Sequence, residues 1–173
     1  MITLATLAQA PSGLEQSFQD VFTGGATAAL MPFTALAVGA LLMLLVDIIK
    51  GAEMLRPVVV IASLVTAIVT AWCQVSEPAI QVLGGTYAVS PALGIFSLIF
   101  CIGALFAWIY GLGYFGPHLR QFSGEYNMLL LSAPAGMILM VGANDLLVFF
   151  IGLEILSLPL YALSAFRRTR TDS

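Results

Sequence analysis

One carboxylate, Glu154, stands inside a long apolar run, nine residues past Asp145 and thirteen before Arg167. At a helical rise of about 1.5 Å per residue it lies roughly 14 Å from one end and 20 Å from the other, near the middle of a hydrocarbon layer about 30 Å thick. A charged carboxylate there costs on the order of 2.5–3.5 kcal/mol on insertion scales. Such a residue persists where it is paired, protonated or used to carry charge. With about 100° between successive helical residues, Ser157, Tyr161, Ser164 and Arg168 fall within about 80° of Glu154. This polar stripe is spaced to hold a short chain of water. Pro159 falls on the other side of the helix, where it removes a backbone donor and frees a carbonyl one turn earlier. Interrupted helices at membrane depth are typical of ion-handling sites. Desolvation favours the neutral acid and a nearby cation favours the carboxylate, and their competition lets one group take up and release a proton. The plainer reading is a hydrogen-bonded glutamate that ties helices together. The membrane spans hold no lysine, arginine or histidine, so any cationic partner of Glu154 comes from another chain or from a continuation of this one. A second acid, Asp47, closes the first span three residues before Lys50. It reads as a helix-end carboxylate near the headgroups, paired with Lys50, and as a secondary candidate site.

The elements that must position these residues follow from composition. The chain has 173 residues, 60% hydrophobic and 9% charged, with a mean hydropathy of +1.03. Soluble domains are about 45–50% apolar and about 25% charged, so this is an integral membrane protein. Disorder is excluded by the hydrophobicity. Six basic against nine acidic residues leave no cationic surface for nucleic acid. With one histidine, His118, and no closely spaced cysteine pair, the chain binds neither metal nor cofactor on this reading. Cys73 and Cys101 both sit in apolar runs and read as buried thiols.

The spacing predicts an all-α membrane fold with an N-terminal tail over 1–27, five spans at about 28–49, 57–73, 91–112, 126–143 and 145–166, and a basic tail over 167–173. Pro57 suits a first helical turn, while Pro32, Pro134 and Pro159 fall inside spans that a bundle tolerates. Lys50, Arg56, Arg120, Arg167, Arg168 and Arg170 all fall on alternate connections. The positive-inside rule puts those connections and the C-terminus in the cytoplasm and the N-terminus outside. The 1–27 tail has no basic residue, which argues against a cleaved signal peptide. The 74–90 connection, with Gly84-Gly85 and a single charge, Glu77, is expected to lie on the outer surface rather than extend into water. Small residues at helical spacing (Ala35 and Gly39; Gly103, Ala107 and Gly111; Ser132 and Gly136) predict close helix contacts.

The run Gly124-Glu125-Tyr126-Asn127-Met128-Leu129-Leu130-Leu131, then Asn144-Asp145-Leu146-Leu147, then Gly152-Leu153-Glu154-Ile155-Leu156-Ser157-Leu158-Pro159-Leu160-Tyr161-Ala162-Leu163 resembles the fourth and fifth helices of the antiporter-like subunits of respiratory complex I. Within that family it most resembles the subunit N branch. The sister L and M branches and the Mrp cation/proton antiporters tend to carry an aromatic residue before the glutamate and lack the Ser-Leu-Pro-Leu-Tyr run. The match is strong over 124–166 and rests on hydropathy and span order over about 28–115. The resemblance implies that Glu154 is the fifth-helix glutamate of a hydrophilic axis, facing a lysine on a later helix. It implies a membrane-arm subunit of a proton-translocating NADH:quinone oxidoreductase in the cell inner membrane, with other membrane-arm subunits as partners. NADH, flavin, iron–sulfur clusters and quinone would then bind elsewhere in the complex. Family members have about fourteen helices in two inverted repeats, whereas this chain holds only the first two helices of the first repeat. The expectation is therefore an N-terminal portion, inactive alone, with 167–173 reading as a cytoplasmic loop cut short. An Mrp-type antiporter subunit and a non-catalytic membrane scaffold are the alternatives.

Overall fold

A computed structural model of the chain describes residues 29–49, 54–114 and 123–165. Five helices long and apolar enough to cross a membrane occur among them. They are α1 (Met31–Ile48), α2 (Leu55–Val75), α3 (Pro91–Tyr114), α4 (Ser123–Gly142) and α5 (Leu146–Ala165). Only such fully hydrogen-bonded segments satisfy the backbone in hydrocarbon. Hydroxyls on exposed faces follow the same rule: Thr66 donates to the Ala62 carbonyl at 2.7 Å and Thr70 to Thr66 at 2.8 Å. Large apolar side chains such as Leu41, Leu45, Val65, Phe106 and Leu147 face outward, as a lipid-facing surface requires.

Helix starts follow local chemistry. Pro32 lies in the first turn of α1 rather than inside it, because the helix begins at Met31 and not near residue 28. Pro57 falls in the first turn of α2, as expected. Asp145 begins α5, its Oδ1 accepting from the Leu147 N–H at 3.2 Å.

The helices alternate in direction around α4, which packs on α1, α3 and α5. Half of its apolar window is buried against 11% for α5, so α4 is the core helix. This explains why the least apolar of the five spans carries buried Asn127: protein, not lipid, surrounds it. The core joins Leu36 and Met43 of α1, Val60, Leu64 and Ala67 of α2, Leu93 and Cys101 of α3, and Leu131, Ala135 and Ile138 of α4.

Small residues decide where backbones touch. A Cβ at Gly39 would strike the Ser63 side chain, and one at Gly94 would come within 2.9 Å of the Ala71 carbonyl oxygen. One at Gly136 would come within 2.6 Å of the Leu156 nitrogen, so α4 and α5 meet backbone to backbone. Gly103 corrects the expectation: nothing lies within 4 Å of its Cβ direction, because that side of α3 faces away from the bundle. Cys73 is a second correction. It is exposed on the outer side of α2, while Cys101 is buried; an apolar neighbourhood in sequence does not separate a lipid-facing from a core-facing position.

Between α2 and α3 the chain forms an antiparallel hairpin of β1 (Ile80–Val82) and β2 (Tyr87–Val89). Its turn runs through left-handed Leu83, Gly84 and Gly85, with φ of 56°, 68° and 88°. Two of the three are glycines, for which that conformation carries no steric cost. The hairpin folds back over the α4–α5 turn. Tyr87 bridges Ala143, and the Asn144 N–H donates to the Thr86 carbonyl at 2.9 Å. The bundle therefore has a hairpin end and an opposite end. The helix termini from which segments 50–53, 115–122 and 166–173 leave all lie at the opposite end.

Candidate functional site

Helix α5 packs on α4 along one face only. Gly152 and Pro159 are buried on it, with Val148, Ile155, Leu156 and Leu163 half-buried at its margins. A Cβ at Gly152 would come within 2.9 Å of the Met140 nitrogen, which fixes α5 tightly against α4 at this depth. Taking about 100° per residue, Glu154 lies roughly 160° from Gly152, with Ser157 and Tyr161 beside it. Glu154, Ser157 and Tyr161 thus lie on the face turned away from α4, and Pro159 lies across from them. Glu154 is half-buried, Ser157 likewise, and Tyr161 is 71% exposed.

Glu154 is the ninth of twenty residues of α5, close to the helix midpoint. Its neighbours are hydroxyls whose protons are held locally: Ser157 donates to the Glu154 carbonyl at 3.4 Å and Ser164 to the Tyr161 carbonyl at 2.8 Å. Both hydroxyl oxygens keep acceptor capacity. Pro159 leaves the Ile155 carbonyl without its α-helical donor. The stripe can therefore bind water or a cationic group along its length. Arg168, the last member expected, lies outside the described residues.

Asp47 occupies a different place. Its Oδ1 lies 2.7 Å from Arg56 Nη2 in an ion pair, with both side chains largely buried. This partner is an arginine on α2; the expected partner, Lys50, lies outside the described residues. A hairpin-like return from α1 to α2 brings Arg56 back beside Asp47, a pairing that sequence distance conceals. The carboxylate also rests against Gly124 at the start of α4, where a Cβ would collide with it. A helix N-terminus favours an anion, so the carboxylate joins α1, α2 and α4. Gly124 lies twelve residues from Gly136, which packs at the depth of Glu154. Asp47 and Glu154 are therefore separated by about 18 Å along the bundle and do not form one site.

Glu77, Glu125 and Asp145, expected to reach water, are all exposed on the bundle. Reasoning from sequence missed Arg56 and the contacts of Tyr87 and Asn144. Asn144 Nδ2 donates to the Gly85 carbonyl at 2.8 Å, and the Tyr87 hydroxyl reaches the Ile138 carbonyl at 3.4 Å. The signal was present in Leu-Gly-Gly-Thr-Tyr-Ala-Val, a glycine turn followed by a β-prone triplet.

No protein-family model matches the chain. Curated relatives do. The chain is 34% identical over 143 residues to NADH-quinone oxidoreductase subunit N 1 of Symbiobacterium thermophilum, covering 80% of this chain and 28% of the relative. It is 30% identical over 144 residues to NADH-quinone oxidoreductase subunit N 1 of Rhizobium meliloti, covering 83% of this chain and 30% of the relative. It is 36% identical over 99 residues to NADH-quinone oxidoreductase subunit N of Ruthia magnifica, covering 57% of this chain and 20% of the relative. The chain thus spans between a fifth and three tenths of the length of these relatives. This multi-pass membrane protein is similar, over about four fifths of its own length, to subunit N of the bacterial NADH-quinone oxidoreductases.

Proposed function

We propose that this chain supplies a proton-handling helix to the membrane part of an NADH-quinone oxidoreductase in the bacterial inner membrane. Glu154 carries the reading. It is a carboxylate at the midpoint of a membrane helix, on the face turned away from α4, with hydroxyls in register beside it. A mid-membrane acid in such a position either meets a cation from an adjoining element or exchanges a proton through water. Electron transfer from NADH to quinone would take place on other subunits, which hold the flavin, iron–sulfur clusters and quinone. This chain would bind none of them and would be inactive alone. Its partners are the other membrane-arm subunits and the lipid bilayer. The end bearing Asp47 and Arg56 faces the cytoplasm, since the segments with the remaining basic residues leave from there.

Ser157 and Tyr161 supply the proton path beside Glu154, and Ser164 and Arg168 extend it toward the cytoplasmic end. Asp47 acts in packing rather than in proton exchange, because its charge is already met by Arg56.

The test is Glu154→Gln in the chain within its native membranes. NADH-driven proton uptake into inverted vesicles is expected to fall at least tenfold, with complex assembly retained. Unchanged coupled turnover in an assembled complex would remove the proposed role. A scaffold role predicts instead that Glu154→Gln blocks assembly and that a packing suppressor restores full pumping.

A further inference from the structure

Glu154 is worth nothing as a proton carrier unless its depth and azimuth are held, and the grip on its helix at the hairpin end comes from an unexpected source. Two residues separate α4 from α5 before Asp145, and both are bound by the hairpin. Ala143 bridges Tyr87. The Asn144 main chain donates to Thr86 at 2.9 Å and its side chain to Gly85 at 2.8 Å, so one residue is held twice by consecutive carbonyls. Tyr87 is 1% exposed, its hydroxyl reaching Ile138 one turn before the end of α4. Its ring fills the space where Gly142 has no side chain. Burial raises the Tyr87 hydroxyl well above the usual tyrosine range, so it stays a neutral donor. The hairpin is thus a strap across the α4–α5 turn, and β2 runs directly into α3.

We propose that Asn144 and Tyr87 are positioning residues for Glu154: the hairpin strap stays closed through turnover and fixes the start of α5, so that rearrangement around Glu154 occurs on the far side of the membrane from the strap. This rests on the proton-handling reading of Glu154. The strap is specific in its chemistry. Asn144 needs an amide donor toward Gly85, and a carboxylate of the same shape would turn an oxygen onto that carbonyl.

The register set by the Tyr87–Ala143 bridge places Thr86 opposite Asn144. Hydrogen-bonded pairs of this kind have Cα atoms about 5.5 Å apart, within the reach of a disulfide. The experiment uses the whole complex in native membranes, with Cys73→Ser to remove the exposed thiol, and the pair Thr86→Cys with Asn144→Cys. Under reducing conditions the pair lacks the Asn144 amide. Coupled proton uptake per NADH is expected to fall at least threefold and its pH profile to shift. Oxidation replaces the lost tie with a covalent one. It is expected to restore uptake to within twofold of the parent and to return the parent pH profile, reversibly with reductant. Asn144→Cys alone is expected to stay low under both conditions. Where the reduced pair fails to assemble, the isosteric Asn144→Asp carries the test, with the same fall and the same shift in pH profile expected.

Loss of turnover on oxidation would show that the strap must open and would overturn the proposal. So would parent behaviour in the reduced pair, or in Asn144→Asp, and so would failure of the disulfide to restore it. Glu154→Gln measured alongside keeps the two ideas apart. If that variant pumps normally, the role of Glu154 falls, while the oxidation-dependent change in the cysteine pair still reports on the strap.

Discussion

Asp47 and Arg56 show how much a single pair decides when water is scarce. Their 2.7 Å contact lies at a bundle end with side-chain exposures of 26% and 16%, so neither charge is fully screened. In a double-mutant cycle of Asp47→Ala and Arg56→Ala, unfolding in detergent is expected to give a coupling of about 0.5–3 kcal/mol, the range for residues in direct contact. Gly124→Ala is expected to destabilise the parent, because the new methyl meets the carboxylate, and to cost much less beside Asp47→Ala. Tyr87 adds a pH dependence. Its hydroxyl is raised by burial, so the folded state keeps the proton that the unfolded chain loses near pH 10. Its stabilising contribution is complete below about pH 10 and is lost as pH rises above that value. Thermal unfolding between pH 8 and pH 11 is expected to show an alkaline loss that Tyr87→Phe reduces.

Among the helices, α4 and α5 form the closest pair because two glycines face each other's backbones. Gly136 meets Gly152 and Leu156, and Gly152 meets Met140. Neither helix gains a hydrophobic drive from this in lipid, so close approach and dispersion hold them together. Gly136→Val is expected to cost about 1–3 kcal/mol or to displace α5. Gly103→Val, on the open side of α3, is expected to fall within about 0.5 kcal/mol of the parent. Unfolding in detergent, with fluorescence transfer between labels on α4 and α5, separates the two outcomes. The contrast also marks what spacing alone conveys: both glycines belong to small-residue stripes, yet only one has a neighbour.

The whole bundle places its two ends in different surroundings. Trp72 is exposed near the hairpin end and Tyr110 near the other, as aromatic side chains at the two membrane boundaries would be. Glu77 at the hairpin end and Glu125 at the opposite end are both exposed, which makes them labelling positions. In intact cells lacking Cys73, Glu77→Cys is expected to react with a membrane-impermeant maleimide and Glu125→Cys only after permeabilisation. The reverse pattern would invert the proposed orientation. The outer face of α5 is the other feature of the whole: α4 holds one side, and Glu154, Ser157 and Tyr161 lie on the other.

Run length and local periodicity, both properties of neighbouring residues, were enough for the five helices, the midpoint position of Glu154 in its helix and the place of Pro159 across from it. These depend on the fixed rise and turn of an α-helix, which any stretch of sequence carries within itself. Which helix lies at the centre, which glycine is used, which cation meets Asp47 and what grips the α4–α5 turn were settled only by the packed bundle. Lipid and a neighbouring helix are equally apolar, so a hydrophobic run does not name what it touches. The hydrogen bonds from Asn144 to Thr86 and Gly85 span nearly sixty residues and exist only once the helices have closed.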